Sequence, residues 1–306
     1  MGRLLRAGPV IAMAAGVAVV ALLSAAPPRR PPKGPHQPPL LPRPELLHAL
    51  FAAQQMMVAD YWWVRTTEAT GRAQTAEEYR DIADYAALVA DLDPDFAYLY
   101  VFAGAVVPVN LGRDRWANTE ESTRLLERGV QRFPRHVYLR ILLAHNLSYF
   151  RRDYRAAADI LAETAKLPGA PRYLAALATR MYAQAGEFDA GRAIAEALAE
   201  STEDPELREL MKQRRDQMAQ EEELQRVDRA VAAFRARQGR APFGLEELVV
   251  AGDLPALPVD PLGGTISLDP RGFAVSSSTR GLRLKLYDPR EEQIYVGDPD
   301  PEEAGQ

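Results

Sequence analysis

The feature that most constrains this chain is a period of 34 residues through its middle. Pro134 and Pro168 are 34 apart, as are Asp153-Tyr154 and Glu187-Phe188, Leu126 and Ile160, Leu143 and Leu177, and Ala144 and Ala178. Pro94 precedes Pro134 by 40, one period plus a six-residue insertion around GRDRWA. Between these landmarks apolar residues recur every three or four positions, the spacing of one helical face. Units with one apolar face each must stack to bury it, so the pattern predicts an elongated, mainly helical body. The helices are expected at 46–69, 75–91, 95–108, 117–132, 137–150, 153–166, 171–185 and 187–201. The competing reading is an irregular helical bundle whose period is accidental.

These matches resemble tetratricopeptide repeats, pairs of antiparallel helices with a proline closing the second, over residues 46–201. The small residues of the second helix fall at Ser122/Thr123, Ala156/Ala157 and Ala190/Gly191, and Tyr182 takes the tyrosine position of the first. The usual Trp and Leu-Gly are mostly missing. The resemblance implies a concave surface lined by first helices, where a protein or peptide partner binds. Carried over residue by residue, it puts Asn110, Asn146, Tyr149, Tyr173, Arg180 and Gln184 on that surface. Asn146 and Arg180 are equivalent one period apart, and could clamp the backbone or a carboxylate of an extended peptide. The alternative is that all six are solvated groove residues with no ligand. Tyr61-Trp62-Trp63 in the first helix cannot share one face, because neighbours on a helix point about 100° apart. Core positions with one aromatic exposed are expected.

Beyond the repeats the pattern changes. Asp204-Pro205-Glu206 is a helix start, and Gly239 is a stop. The intervening helix, 204–238, carries apolar residues at both ends and a charged middle, KQRRDQMAQEEELQR. It is expected to dock its ends on two bodies and to leave the middle solvated. Short β-type runs then follow at 265–268, 273–276, 282–287 and 293–296. Pro242, Leu245, Leu248, Pro258, Asp260, Pro261 and Gly263 resemble the C-terminal part of type II secretion pseudopilins. That likeness implies a small antiparallel sheet and, in some members, calcium. Asp260, Asp298 and Asp300 are the available carboxylates, though each also starts an Asp-Pro turn, which is the preferred reading. The pilin processing signal is missing, because no acid follows Gly2 or Gly8 before Glu45.

Residues 7–26 run twenty positions without a charge after Arg3 and Arg6. About twenty apolar residues span a bilayer, so an uncleaved signal anchor is expected over 1–26, with a cleaved signal peptide as the alternative. Residues 27–44 hold nine of the 24 prolines and read as a semi-rigid linker. The formal charge of −5 argues against a nucleic-acid partner. The chain has no cysteine, which excludes disulfides, thiol nucleophiles and Cys-ligated metals. Nucleotide, hydrolase and zinc-protease motifs are missing, and His136 and His145, nine apart, cannot sit one turn apart as a helical metal pair.

The expected fold class is mainly α: a TPR-like helical-hairpin solenoid at 45–203, a connecting helix at 204–238, a small pseudopilin-like β module at 239–297 and an acidic tail at 298–306. The expected function is a non-enzymatic, membrane-anchored scaffold or adaptor of the bacterial cell envelope, with its body in the periplasm. Its partners would be a protein or peptide in the groove and the membrane through the N-terminal helix. No catalytic residue, metal, cofactor or small-molecule substrate is expected. A structural stalk subunit is the alternative, and a carboxylate-dependent envelope hydrolase a weaker one.

Overall fold

Helix boundaries in this chain follow local chemistry, and the computed structural model describes residues 36–112 and 115–284. All that follows lies in the unit that begins at Leu40. Helix α1 (Pro44–Phe51) starts on a proline, passes a single 3₁₀ turn at Ala52–Gln54, and gives way to α2 (Gln55–Arg72). Thr75 and Glu78 form a reciprocal capping box that starts α3 (Ala76–Leu92). Then come α4 (Ala97–Val106), α5 (Thr119–Arg132), α6 (Val137–His145), a π-type turn at Asn146–Phe150, α7 (Tyr154–Ala165), α8 (Tyr173–Ala185) and α9 (Phe188–Ser201). Asp153 caps α7 through Ala156 N at 3.0 Å. Helices α7 and α9 begin 34 residues apart, at Tyr154 and Phe188.

The expected helix 46–69 is therefore broken. The break lets α1 turn back so that Leu41 and Leu47 pack with Ala59 on Leu88 and Leu92 of α3. Gln55 Nε2 secures it by donating to the Leu92 carbonyl at the end of α3. The six-residue insertion forms a two-stranded hairpin, β1 (Val109–Asn110) and β2 (Trp116–Ala117), with Asn110 opposite Trp116.

Each helix packs mainly on its neighbours in the chain, and one continuous core runs through Ile82, Leu99, Tyr100, Leu126, Leu139, Leu161 and Leu174. Small residues set the helix spacing where the sequence placed them: Ser122, Thr123 and Ala157 are fully buried. Gly129 lies so close to α4 that a Cβ would fall 2.7 Å from Tyr100 Cβ. Alanine normally favours a helix over glycine by about 1 kcal/mol. Gly129→Ala should nevertheless destabilise the protein, by about 1–3 kcal/mol of overpacking, because Tyr100 Cβ is fixed to its backbone. Urea denaturation checks the sign, and a gain in stability would refute the close approach.

The aromatic triplet divides as its geometry requires. Tyr61 is exposed, Trp62 stacks on Tyr85 at 6.0 Å, and Trp63 lies edge-on to Phe96 and Phe102, each at 5.0 Å.

Helix α10 (Pro205–Gln238) opens on the Asp204 cap, whose Oδ1 accepts from Glu206 N at 3.0 Å, and ends at Gly239 with φ of 69°. Its first half buries Met211 against Ala175 and Leu198. Its second half buries Leu224, Val227, Val231 and Phe234 under the C-terminal module. That module holds α11 (Leu245–Val250) and the antiparallel pair β3 (Ile266–Leu268) and β4 (Ala274–Ser276), registered Ile266↔Ser276 and Leu268↔Ala274. The chain is thus mainly helical with a small antiparallel sheet, as its patterning indicates. Of the expected run at 282–287, residues 282–284 form no strand and 285–287 lie outside the described residues, as does the whole run at 293–296.

Two expectations are corrected. The middle of α10 is solvated on one side only: Lys212, Gln213, Asp216 and Glu222 are exposed, whereas Met218 and Gln225 are buried against α9 and α8, and Gln220 and Glu221 under the C-terminal module. The expected transmembrane anchor is withdrawn, and with it the inner-membrane placement. Among the described residues no helix is long and apolar enough to cross a membrane, and residues 1–26 lie outside them.

Candidate functional site

The six positions assigned to a concave surface fall in three places. Asn146 is buried, and its Nδ2 donates to Ser122 Oγ at 3.0 Å and Thr123 Oγ1 at 3.1 Å. It is a core residue that ties the π-type turn to α5, so its assignment to the groove is corrected. The physical reason is its spacing from Leu139 and Leu143: steps of four and three keep it on the same helix face, which points into the core.

Asn110 and Tyr149 are brought together through the hairpin. Asn110 is exposed, pairs across the strands with Trp116, and accepts from Gly112 N at 2.6 Å. Tyr149 meets Trp116 edge-on at 6.0 Å and stacks on exposed His145 at 5.4 Å, with Phe150 closing the cluster. Arg152 lies over the Tyr149 ring at 5.7 Å, a favourable placement for a cation on a π face.

Tyr173, Arg180 and Gln184 share one face of α8, since steps of seven and four return to the same side of a helix. Tyr173 is exposed, and Arg180 is half-buried with its Nε donating to the Leu284 carbonyl at 3.3 Å. Gln184 is half-buried on the same face.

A second register emerges that the spacing of prolines does not show. Tyr98, Tyr138 and Tyr173 occupy the first turns of α4, α6 and α8, the first helices of successive hairpins. They are 59%, 51% and 56% exposed, whereas the leucine after each (Leu99, Leu139 and Leu174) is 0% exposed. The signal was present as a Tyr-Leu pair recurring at 98–99, 138–139 and 173–174. An inward leucine at each helix start fixes an outward tyrosine one position earlier. Exposed tyrosines offer large, rigid contact area with a polar tip, the composition of protein-binding surfaces.

Asp260, considered as a calcium ligand by resemblance, is fully engaged inside the protein. Its Oδ1 accepts from Gln220 Nε2 at 2.8 Å and Leu262 N at 2.9 Å, and its Oδ2 from Gly264 N, Ser276 Oγ and Ser278 Oγ at 3.0, 2.5 and 2.8 Å. Burial pushes the carboxyl pKa up, and these donors more than offset it, leaving it at about 2. Asp298 and Asp300 lie outside the described residues.

No family model matches the chain. No curated protein and no solved structure shows significant similarity to it either.

Proposed function

We propose that this chain is a non-enzymatic scaffold that holds a protein partner along the first helices of its stacked hairpins, in the manner of tetratricopeptide-like repeats. The observation that carries the reading is the recurring pair of an exposed tyrosine and a buried leucine at the head of α4, α6 and α8. A single exposed tyrosine is ordinary on any surface. Three in one structural register give a partner repeated anchors, and binding energy at interfaces concentrates on such aromatic residues. The neighbouring cluster of Trp116, His145, Tyr149 and Phe150 extends the aromatic surface.

Photo-crosslinking in the native cell tests this directly. A photoreactive phenylalanine analogue placed singly at Tyr98, Tyr138 and Tyr173 should give one shared protein adduct at all three positions. The same analogue at exposed Arg124, on a second helix, should give none. Different adducts at the three positions, or equal labelling at Arg124, would remove the basis for a common partner surface.

A further inference from the structure

Where α8 and the middle of α10 meet the chain after β4, a cavity of about 360 Å³ opens, lined by Arg180, Arg214, Gln220, Glu221, Ser278 and Arg283 among others. Three guanidinium groups face one carboxylate there. That carboxylate is already committed: Glu221 is paired with Arg283 at 2.7 Å, and Arg283 also reaches Asp228 at 3.0 Å. Arg180 and Arg214 are left with no ion pair among the described residues.

Arg214 carries the stronger signal. Its Nε is buried and makes no hydrogen bond. Its Nη1 meets only a neutral acceptor, Gln217 Oε1, at 3.0 Å. Burial and then the like charge of Arg180 both hold its pKa below the usual arginine value. A desolvated cation beside a second cation, with an unsatisfied donor, costs stability and is not expected as plain architecture. Guanidinium forks are the donor geometry that matches carboxylate and phosphate oxygens. The amide of Gln217 adds a neutral polar group, and Leu282 and Leu284 add an apolar wall. The volume exceeds what a bare ion needs and falls in the range of small-ligand pockets.

The geometry points to an oxyanion-binding site in this cavity, with Arg180 and Arg214 clamping a doubly charged carboxylate or phosphate ligand. The site does not depend on the tyrosine register. Its ligand can come from two sources: a small free dianion, or the chain's own acids between Asp288 and Glu303.

Isothermal titration of the full-length chain with inorganic phosphate and with succinate tests the site. A parallel titration uses a full-length variant whose seven acids from Asp288 to Glu303 are changed to Asn or Gln. Saturable binding of equal strength in both chains identifies a free dianion as the ligand. Binding only in the neutralised variant identifies the chain's own acids as the occupant. In either case Arg180→Gln and Arg214→Gln should each weaken binding by about tenfold or more, the loss expected for a charge-assisted contact. In the neutralised variant without ligand, Arg214→Met should raise the thermal midpoint, because it removes a half-buried charge that has no counter-charge and an unsatisfied Nε. The proposal is overturned if neither chain binds at roughly 10 mM probe. It is equally overturned if Arg214→Gln binds as tightly as its parent, or if Arg214→Met lowers the midpoint.

Discussion

Asp260→Ala should detach the C-terminal module from α10. The carboxylate gathers five donors, from Gln220, Leu262, Gly264, Ser276 and Ser278. Gln220 lies on α10, Leu262 and Gly264 on the loop before β3, and Ser276 and Ser278 on β4 and the turn after it. Removing the acceptor leaves these groups buried or half-buried without it, a cost of about 3–5 kcal/mol. The loss should be local. Hydrogen exchange at Ile266–Leu268 and Ala274–Ser276 should rise steeply, while Leu126 and Leu161 in the helical stack keep their protection. Uniform loss of protection in both places would show that the two parts unfold as one. The same site sets a pH dependence. The folded pKa of about 2 lies below the ordinary aspartate value of 3.8, so folding favours the ionised form. The stabilisation is full above pH 4 and is lost as pH falls toward 2, about 2–3 kcal/mol in all. The stability gap between the natural chain and Asp260→Asn should therefore be widest near neutrality and shrink across that acid window. A gap that stays constant from pH 7 to pH 2 would count against the charged form as the source of the effect.

Glu221 and Arg283 form the second large effect. Their side chains are 2% and 7% exposed, and Glu221 also accepts from Leu284 N at 3.0 Å and from Gln225 Nε2 at 3.0 Å. Burial lowers the Arg283 pKa, and its bonds to Glu221 and Asp228 more than offset this, so the guanidinium stays charged. Arg283→Met strands the Glu221 carboxylate in the interior, at a cost of about 3–5 kcal/mol. Glu221→Leu strands the guanidinium and should cost a similar amount. The double variant should cost clearly less than the two single ones together, since removing both charges restores neutrality. A double-mutant cycle by chemical denaturation measures this coupling. Strict additivity would mean that the pair is not coupled at all.

Much of the fold was legible in the residues, for local reasons. The starts of α3, α7 and α10 sit on capping residues that act within one turn, and Gly239 ends α10 by its own left-handed backbone. The division of Tyr61, Trp62 and Trp63 also follows from helix geometry alone. The break at Ala52–Gln54 was not legible, because it answers to a contact between Gln55 and Leu92, 37 residues away. Asn146 was misplaced for a related reason. It shares the helix face of Leu139 and Leu143, and what covers that face there is Ser122 and Thr123, 24 and 23 residues earlier in the chain. The candidate partner surface was legible in part: Tyr173 was read from the repeat register, while Tyr98 and Tyr138 needed the burial of the leucines beside them.

What the sequence by itself determined is the series of amphipathic helices, their period of 34 and the turn-rich end of the chain, all consequences of spacing and of capping within a few residues. Tertiary structure alone decided the fate of the charges along α10. Read in isolation, Gln220 and Glu221 belong to a solvated helix face, and Arg214 is one more surface cation. Folding the module back over that face buries the first two, supplies them with Asp260 and Arg283, and leaves Arg214 half-buried with its Nε out of reach of water. It supplies Arg214 with no counter-charge. Whether a charge is solvated, paired or held unpaired depends on what lies across from it, and that is set by residues 40 to 62 positions further along the chain.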